Sequence, residues 1–325
     1  MKKYIAILLA AAMATLGISA CRKENSNKET KVQKDSDIKV VTTIFPEYDW
    51  VRQIAGEEAD QMDITMLLDN GVDLHSYQPT AEDIMKVSDC DLFVYVGGES
   101  DAWVDDALKQ AKNKDMQVVD LLDVLGNSAK EEEVIEGMEP EEEEEEPEYD
   151  EHVWLSVKNA EVLSKAIADA LEKVDPDHKD IYQENASAYS EKLKDLDAKY
   201  QEVVDGVSQK TLLFGDRFPF RYLVDDYGLS YYAAFVGCSA ESEASFDTIS
   251  FLANKVDELG LKDIMAIENS NQKIAKTIIE NTKEKNQKIL TLDTMQSTTS
   301  DDVKNGTTYL SVMEKNLEVL KEALQ

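Results

Sequence analysis

The chain has 325 residues and a formal net charge of −33, with 67 Asp and Glu against 34 Lys and Arg. A surface that acidic repels phosphate backbones and anionic headgroups, which sets aside nucleic acid and anionic lipid as partners. Three cysteines make no disulfide framework, and three histidines are few enough for each to be weighed singly.

The first residues are Met1-Lys-Lys, an apolar stretch over 4–17, and then Ile18-Ser19-Ala20-Cys21. This predicts a signal peptide over 1–20, too short for an ordinary membrane span. The small residues end directly on a cysteine, the pattern of a bacterial lipobox. Cys21 is therefore expected to carry a lipid, become the mature N-terminus and anchor an extracytoplasmic protein to the cell membrane. A plain signal with an incidental cysteine is the alternative. Residues 22–36 are polar and almost free of apolar side chains, which suits a flexible tether from 21 to 36. Cys90 and Cys238 remain, one in each half; they read as buried small hydrophobes, with a disulfide between them left open.

From residue 37 short apolar runs alternate with helical patterns. Strands are expected over 38–43, 64–68, 92–96 and 117–120, and helices over 48–55, 81–87 and 102–112. Near-continuous apolar strands imply cover on both faces, as in a parallel sheet, so 37–178 reads as an α/β lobe. Residues 130–151 interrupt it with fourteen acidic side chains, including the unbroken run 141–146 between Pro140 and Pro147. Such a run repels itself, predicting a solvated loop. It could also act as a low-affinity collector of divalent cations, since carboxylate oxygens attract hard cations.

Ile181, Tyr189, Leu193, Leu196, Tyr200 and Val203 then recur at mostly three- and four-residue intervals, predicting one long amphipathic helix within 179–209. A second α/β lobe follows over 210–325, with strands over 212–214, 231–235, 264–267 and 289–292, and helices over 220–227, 246–259, 273–282 and 302–324. The fold class is thus α/β: two similar lobes with central parallel-type sheets, joined by a long rigid helix that limits any closing motion.

Two of the histidines lie in turn-rich stretches, His75 in Gly71-Val-Asp-Leu-His75-Ser-Tyr-Gln-Pro79 and His152 in Asp150-Glu-His152-Val-Trp154. Both are candidates for the rim of a cleft, and neutral imidazole is the commonest protein ligand for zinc-like metals. Each could equally be a half-buried loop histidine with a backbone partner. His178, among charged neighbours in Asp175-Pro-Asp-His-Lys179, reads as a surface residue; Trp154 could pack against the site or fill the lobe interface, and core filling is preferred.

Taken in order, Val40-Val-Thr-Thr-Ile-Phe-Pro46, His75-Ser-Tyr-Gln-Pro79, Asp91-Leu-Phe-Val-Tyr95, Asp150-Glu-His-Val-Trp-Leu155, Glu241-Ser-Glu-Ala-Ser245 and Asn305-Gly-Thr-Thr-Tyr309 make the chain resemble the zinc/manganese-type (cluster A-I) solute-binding lipoproteins of bacterial metal ABC transporters. The resemblance implies that His75 and His152 are metal ligands. It implies a carboxylate after the last strand, matched by Asp293, and a histidine or glutamate after the first strand of the second lobe. Arg217 stands at that last position, and arginine has no lone pair to give. Three repairs are open: Asp216 turns inward, Glu268 in Ile267-Glu-Asn-Ser270 swings in while Arg217 pairs elsewhere, or water completes the shell. Glu268 is preferred because it follows a strand whose end should face the cleft; it could instead be the ion-pair partner of Arg217.

The function so implied is capture of a divalent ion, zinc before manganese, for delivery to an ABC permease, without catalysis. Nitrogen donors favour zinc, and each added carboxylate moves the balance toward manganese. A zinc-dependent surface hydrolase would use the same atoms, but there is no His-Glu-x-x-His helix and no nucleophile elbow. An acidic surface adhesin would account for the lipid and the charge while leaving the paired histidines unused.

Overall fold

The apolar runs of the first half form β1 (Ile38–Thr42), β2 (Met62–Met66), β3 (Leu92–Tyr95) and β4 (Gln117–Asp120), a parallel sheet in the order β2-β1-β3-β4. The computed structural model describes residues 38–139, 148–239 and 243–325. The expected signal peptide, Cys21, the tether and the run 141–146 lie outside them. β1 is central: Val40 pairs with both Ile64 and Leu92 and has no exposed surface, as a strand covered on both faces requires.

Several of the covering helices begin on side-chain caps. In α1 (Phe45–Ala55) the Glu47 carboxylate folds back onto the backbone N–H groups of Thr43 and Ile44; in α2 (Ala81–Asp89) Thr80 and Asp83 form a capping box. α3 (Val104–Lys109) and the short α4 (Leu121–Leu125), started by Asp120, complete the crossovers. Ser156 caps α5 (Val157–Val174), and α6 (Lys179–Asp205) is the long helix expected from the spacing of its tyrosines and leucines.

The second lobe repeats the plan. β5 (Thr211–Phe218), α7 (Arg221–Tyr227), β6 (Ser230–Val236), α8 (Phe246–Leu259), β7 (Asp263–Ile267), α9 (Lys273–Asn281), β8 (Lys288–Leu292), α10 (Ser300–Lys304) and α11 (Tyr309–Ala323) follow in order. Their sheet runs β6-β5-β7-β8, the same spatial order as in the first lobe, and is again parallel.

Three expectations change. β5 does not stop at Phe214: its register slips between Phe214 and Arg217 and pairing resumes to Phe218, a bulge that re-aims Asp216 and Arg217. Gly215 is needed there, because a Cβ would lie 2.5 Å from the Cα of Ala275 on α9. The last helix is two, α10 and α11, since Gly306 sits at φ 95° and Thr308 starts a new cap. The flanks of the acidic segment are not a solvated loop. Glu131 bridges to Tyr149, the Glu139 N–H donates to the Ala234 carbonyl on β6, and Met138, Asp150 and Glu151 are buried, because the apolar side chains interspersed there dock on the second lobe.

One apolar cluster runs from Val40 through both lobes to Leu324. α6 lies across the joint, with the Asn185 amide donating to the Ile54 carbonyl at 2.9 Å and the Tyr200 hydroxyl to the Met313 carbonyl at 2.7 Å. A close-packed core shared by both lobes resists deformation and so opposes large motion between them. No helix among the described residues is long and apolar enough to cross a membrane.

Candidate metal centre

Loops at the carboxyl ends of parallel strands carry ligand sites in open α/β sheets, and here the residues of interest from both lobes issue from such loops. His75 lies in a 3-10 turn, Leu74–Ser76, beyond β2; its N-cap is Asp73, whose Oδ1 accepts the His75 backbone N–H at 3.1 Å. His152 opens the turn Val153–Leu155 before α5 and is fully buried.

The two imidazoles face each other with Nε2 atoms 3.1 Å apart. Each Nδ1 has its own partner. For His152 this is the Asp150 carboxylate at 2.9 Å; for His75 it is Ser100 Oγ at 2.9 Å, with Glu151 Oε2 at 3.4 Å. A carboxylate on Nδ1 fixes the proton there and leaves the Nε2 lone pair free, the second-shell arrangement of metal-binding histidines. Burial first, and then the neighbouring His152, push the His75 pKa down to about 3, so its ring is neutral and a donor at physiological pH. The 3.1 Å spacing is close to the roughly 3.3 Å that two nitrogens span on a tetrahedral ion at bond lengths of about 2.0–2.1 Å.

A third donor stands beside them. His75, His152 and Cys238 each place a ligand atom within 4.8 Å of the others, a group that could hold a metal ion among the described residues. Cys238 lies two residues beyond the end of β6, with its backbone N–H held by Glu132 Oε1 at 3.0 Å. Gly237 makes the approach possible: a Cβ there would lie 2.9 Å from the Phe218 carbonyl oxygen and 3.1 Å from His152 Nδ1. Burial, and after it Glu132, Asp150 and Glu151, hold the Cys238 thiol well above its ordinary pKa. Reading Cys238 as a buried small hydrophobe missed this placement. The available signal was its position two residues past a strand whose carboxyl end faces the cleft. Cys90 is a buried free thiol whose Sγ lies 3.2 Å from the Val87 carbonyl oxygen.

Asp293 and Glu268 stand outside this trio. Both oxygens of Glu268 are held by Thr294, from its N–H at 2.7 Å and its hydroxyl at 2.6 Å, while Asp293 Oδ1 accepts the Met295 N–H at 2.8 Å. Burial, and then Asp293, raise the Glu268 pKa; burial raises that of Asp293. Glu268 lines a cleft of about 330 Å³ together with Asp73, Asp216, Arg217 and Gln296.

Arg217 pairs with Asp73 of the first lobe rather than with Glu268. Burial acts to raise the Asp73 pKa, but the hydrogen bond and charge of Arg217 outweigh it and hold the carboxyl below its usual range. Asp216 turns toward β7, its Oδ2 3.4 Å from the Ile267 N–H, while Oδ1 accepts the Arg217 N–H at 3.0 Å. Trp154 is fully buried; its indole N–H donates to the Thr294 carbonyl at 2.8 Å and its ring lies 5.3 Å from that of His152. His178 is at the start of α6, 2.7 Å from Asp175 and partly exposed, away from the centre.

Similar proteins have the same architecture. The zinc-binding lipoprotein AdcA of Streptococcus pneumoniae strain R6 is 34% identical over 324 residues, 98% of this chain but 61% of its own length, so the chain spans less than two thirds of that relative. The high-affinity zinc uptake system protein ZnuA of Bacillus subtilis strain 168 is 31% identical over 330 residues, covering 99% of this chain and 98% of that protein. The crystal structure of the Zn(II)-bound ZnuA-like domain of Streptococcus pneumoniae AdcA superposes with a TM-score of 0.69 at 31% identity, covering 89% of this chain and 99% of that one. The family described as zinc-uptake complex component A, periplasmic, matches residues 40–323, and the chain belongs to it.

Proposed function

We propose that this protein is the extracytoplasmic binding component of a metal ABC transporter, capturing a divalent ion between its lobes and delivering it to the membrane permease. Zinc is the preferred ion and manganese the second. The observation that carries the reading is the pair of Nε2 atoms 3.1 Å apart, each imidazole oriented through Nδ1 by a buried carboxylate or a half-buried hydroxyl. His75 and His152 are the first lobe's ligands. A second-lobe carboxylate, Glu268 before Asp293, completes the shell once it leaves its Thr294 or Met295 partners. The lipid on Cys21 holds the protein at the outer face of the membrane, and the tether lets it reach the permease.

Capture rather than catalysis fits a family named for zinc uptake. It also fits the neighbouring acids: Asp150 and Glu151 are turned to the Nδ1 atoms, orienting the ligands rather than standing free to act on a bound water. The test is uptake by the metal-stripped protein. One equivalent of zinc should bind tightly in competition with a chromophoric chelator and raise the melting temperature, since a ligand of the folded state stabilises it by mass action. Absence of a tight equivalent in folded protein would contradict the reading.

A further inference from the structure

Arginine at position 217 removes a donor that the resemblance led one to expect, and the structure supplies another from the adjacent strand. We infer that Cys238 is a metal ligand, its thiolate joining His75 Nε2 and His152 Nε2, and that the site selects thiophilic divalent ions over manganese. The inference rests on the metal-capture reading and deepens it by naming the class of ion.

Three observations carry it. The sulfur and the two imidazoles place their ligand atoms within 4.8 Å of one another, and among the described residues no other three such donors gather so closely. The backbone is built for the approach: Gly237 passes against the His152 ring where any side chain would collide, and Glu132 anchors the Cys238 N–H. Glu151, with a side chain 3% exposed, has an Oε2 without a hydrogen-bond partner, 3.4 Å from His75 Nδ1. Burial disfavours the ionised form of that carboxyl, and a dication at the Nε2 atoms would stabilise it. Soft thiolate with two imidazoles suits zinc, whereas manganese prefers carboxylate and water oxygens. As the metal–sulfur bond forms the S–H bond breaks, and the proton passes to the solvent.

Cobalt(II) makes the sulfur visible, because thiolate-to-cobalt charge transfer gives a near-ultraviolet band that nitrogen and oxygen donors do not. The metal-stripped protein titrated with cobalt should develop this band to saturation at one equivalent. Cys238→Ser should lose the band and bind zinc about 10–100-fold more weakly while narrowing the preference for zinc over manganese, and Cys90→Ser should keep all three properties. Cys238→Ala, which tolerates a buried site without a hydroxyl, gives the same readout if the serine variant folds poorly. One-to-one cobalt binding without the band, or wild-type zinc affinity in a folded Cys238 variant, would overturn the thiolate ligand and leave the capture function standing. Failure of the parent protein to bind either ion would instead overturn the capture function, and this inference with it.

Discussion

Arg217 of the second lobe forms an ion pair with Asp73 of the first, and the other oxygen of Asp73 accepts the backbone N–H of His75 at 3.1 Å. The arginine thus acts on the site at one remove. It secures the turn that presents His75 and has its charge neutralised before a dication arrives. With side chains only 15% and 25% exposed, the pair is more consequential than a surface salt bridge.

A double-mutant cycle with Asp73→Asn and Arg217→Gln should therefore give a coupling of about 1–3 kcal/mol in denaturant unfolding of the metal-free protein. Asp73→Asn keeps the cap on His75 but leaves Arg217 uncompensated, so zinc affinity should fall. Adding Arg217→Gln should recover part of it. Equal affinity in the single and double variants would show that the charge of Arg217 does not reach the site.

Gly237→Ala tests the close approach of the second lobe to His152. Its methyl group would meet the Phe218 carbonyl oxygen and the His152 ring at 2.9–3.1 Å, so the ring or the strand end must shift. Zinc affinity should drop about tenfold or more, the scale of a second-shell perturbation, with the far-ultraviolet spectrum unchanged. An unaltered competition titration would mean that the loop has slack.

Asp49 sets a pH dependence distant from the metal. Its Oδ2 accepts the Tyr309 N–H at 3.0 Å at the start of α11, and burial raises its pKa to about 6 from an ordinary 3.8. The folded protein therefore holds a proton on Asp49 that the unfolded chain has released, and this contribution to stability is lost as pH rises from about 4 to about 6. Asp49→Asn should remove that slope, so the variant gains on the parent by about 1–3 kcal/mol between pH 4 and pH 7 in urea unfolding. A constant difference across that range would contradict the shift.

The acidic run 141–146 should be dispensable for tight binding, because glutamate side chains give up rotamer freedom at an entropic cost when they chelate. Replacing its six glutamates with glutamines should leave one tight zinc and reduce only weak, salt-sensitive uptake. Loss of the tight equivalent would place a ligand in the run.

Much of the architecture was legible in the sequence because strands covered on both faces are nearly continuous apolar runs. Those at 38–43, 92–96 and 264–267 match β1, β3 and β7 to within a residue. α6 was legible from its tyrosine and leucine spacing. The bulge in β5 was not, since it arises from α9 packing on Gly215, a contact sixty residues away in sequence. The break at Gly306 lay inside a window whose apolar period continued across it. Of the site, the histidine pair stood out by scarcity and turn-rich context, and the structure brings the two rings together. The Asp73 partner of Arg217 and the placement of Cys238 depend on how two sheets face each other, which one-dimensional spacing does not encode.

The central claim is that His75 and His152 jointly hold one metal ion, and zinc competition titration of His75→Ala and His152→Ala beside His178→Ala tests it most directly. Each of the first two should lose about 100-fold or more in affinity while remaining folded, and His178→Ala, altered at the base of α6, should bind as the parent does. Parental affinity in either His75→Ala or His152→Ala, or loss of binding in folded His178→Ala, would contradict the account.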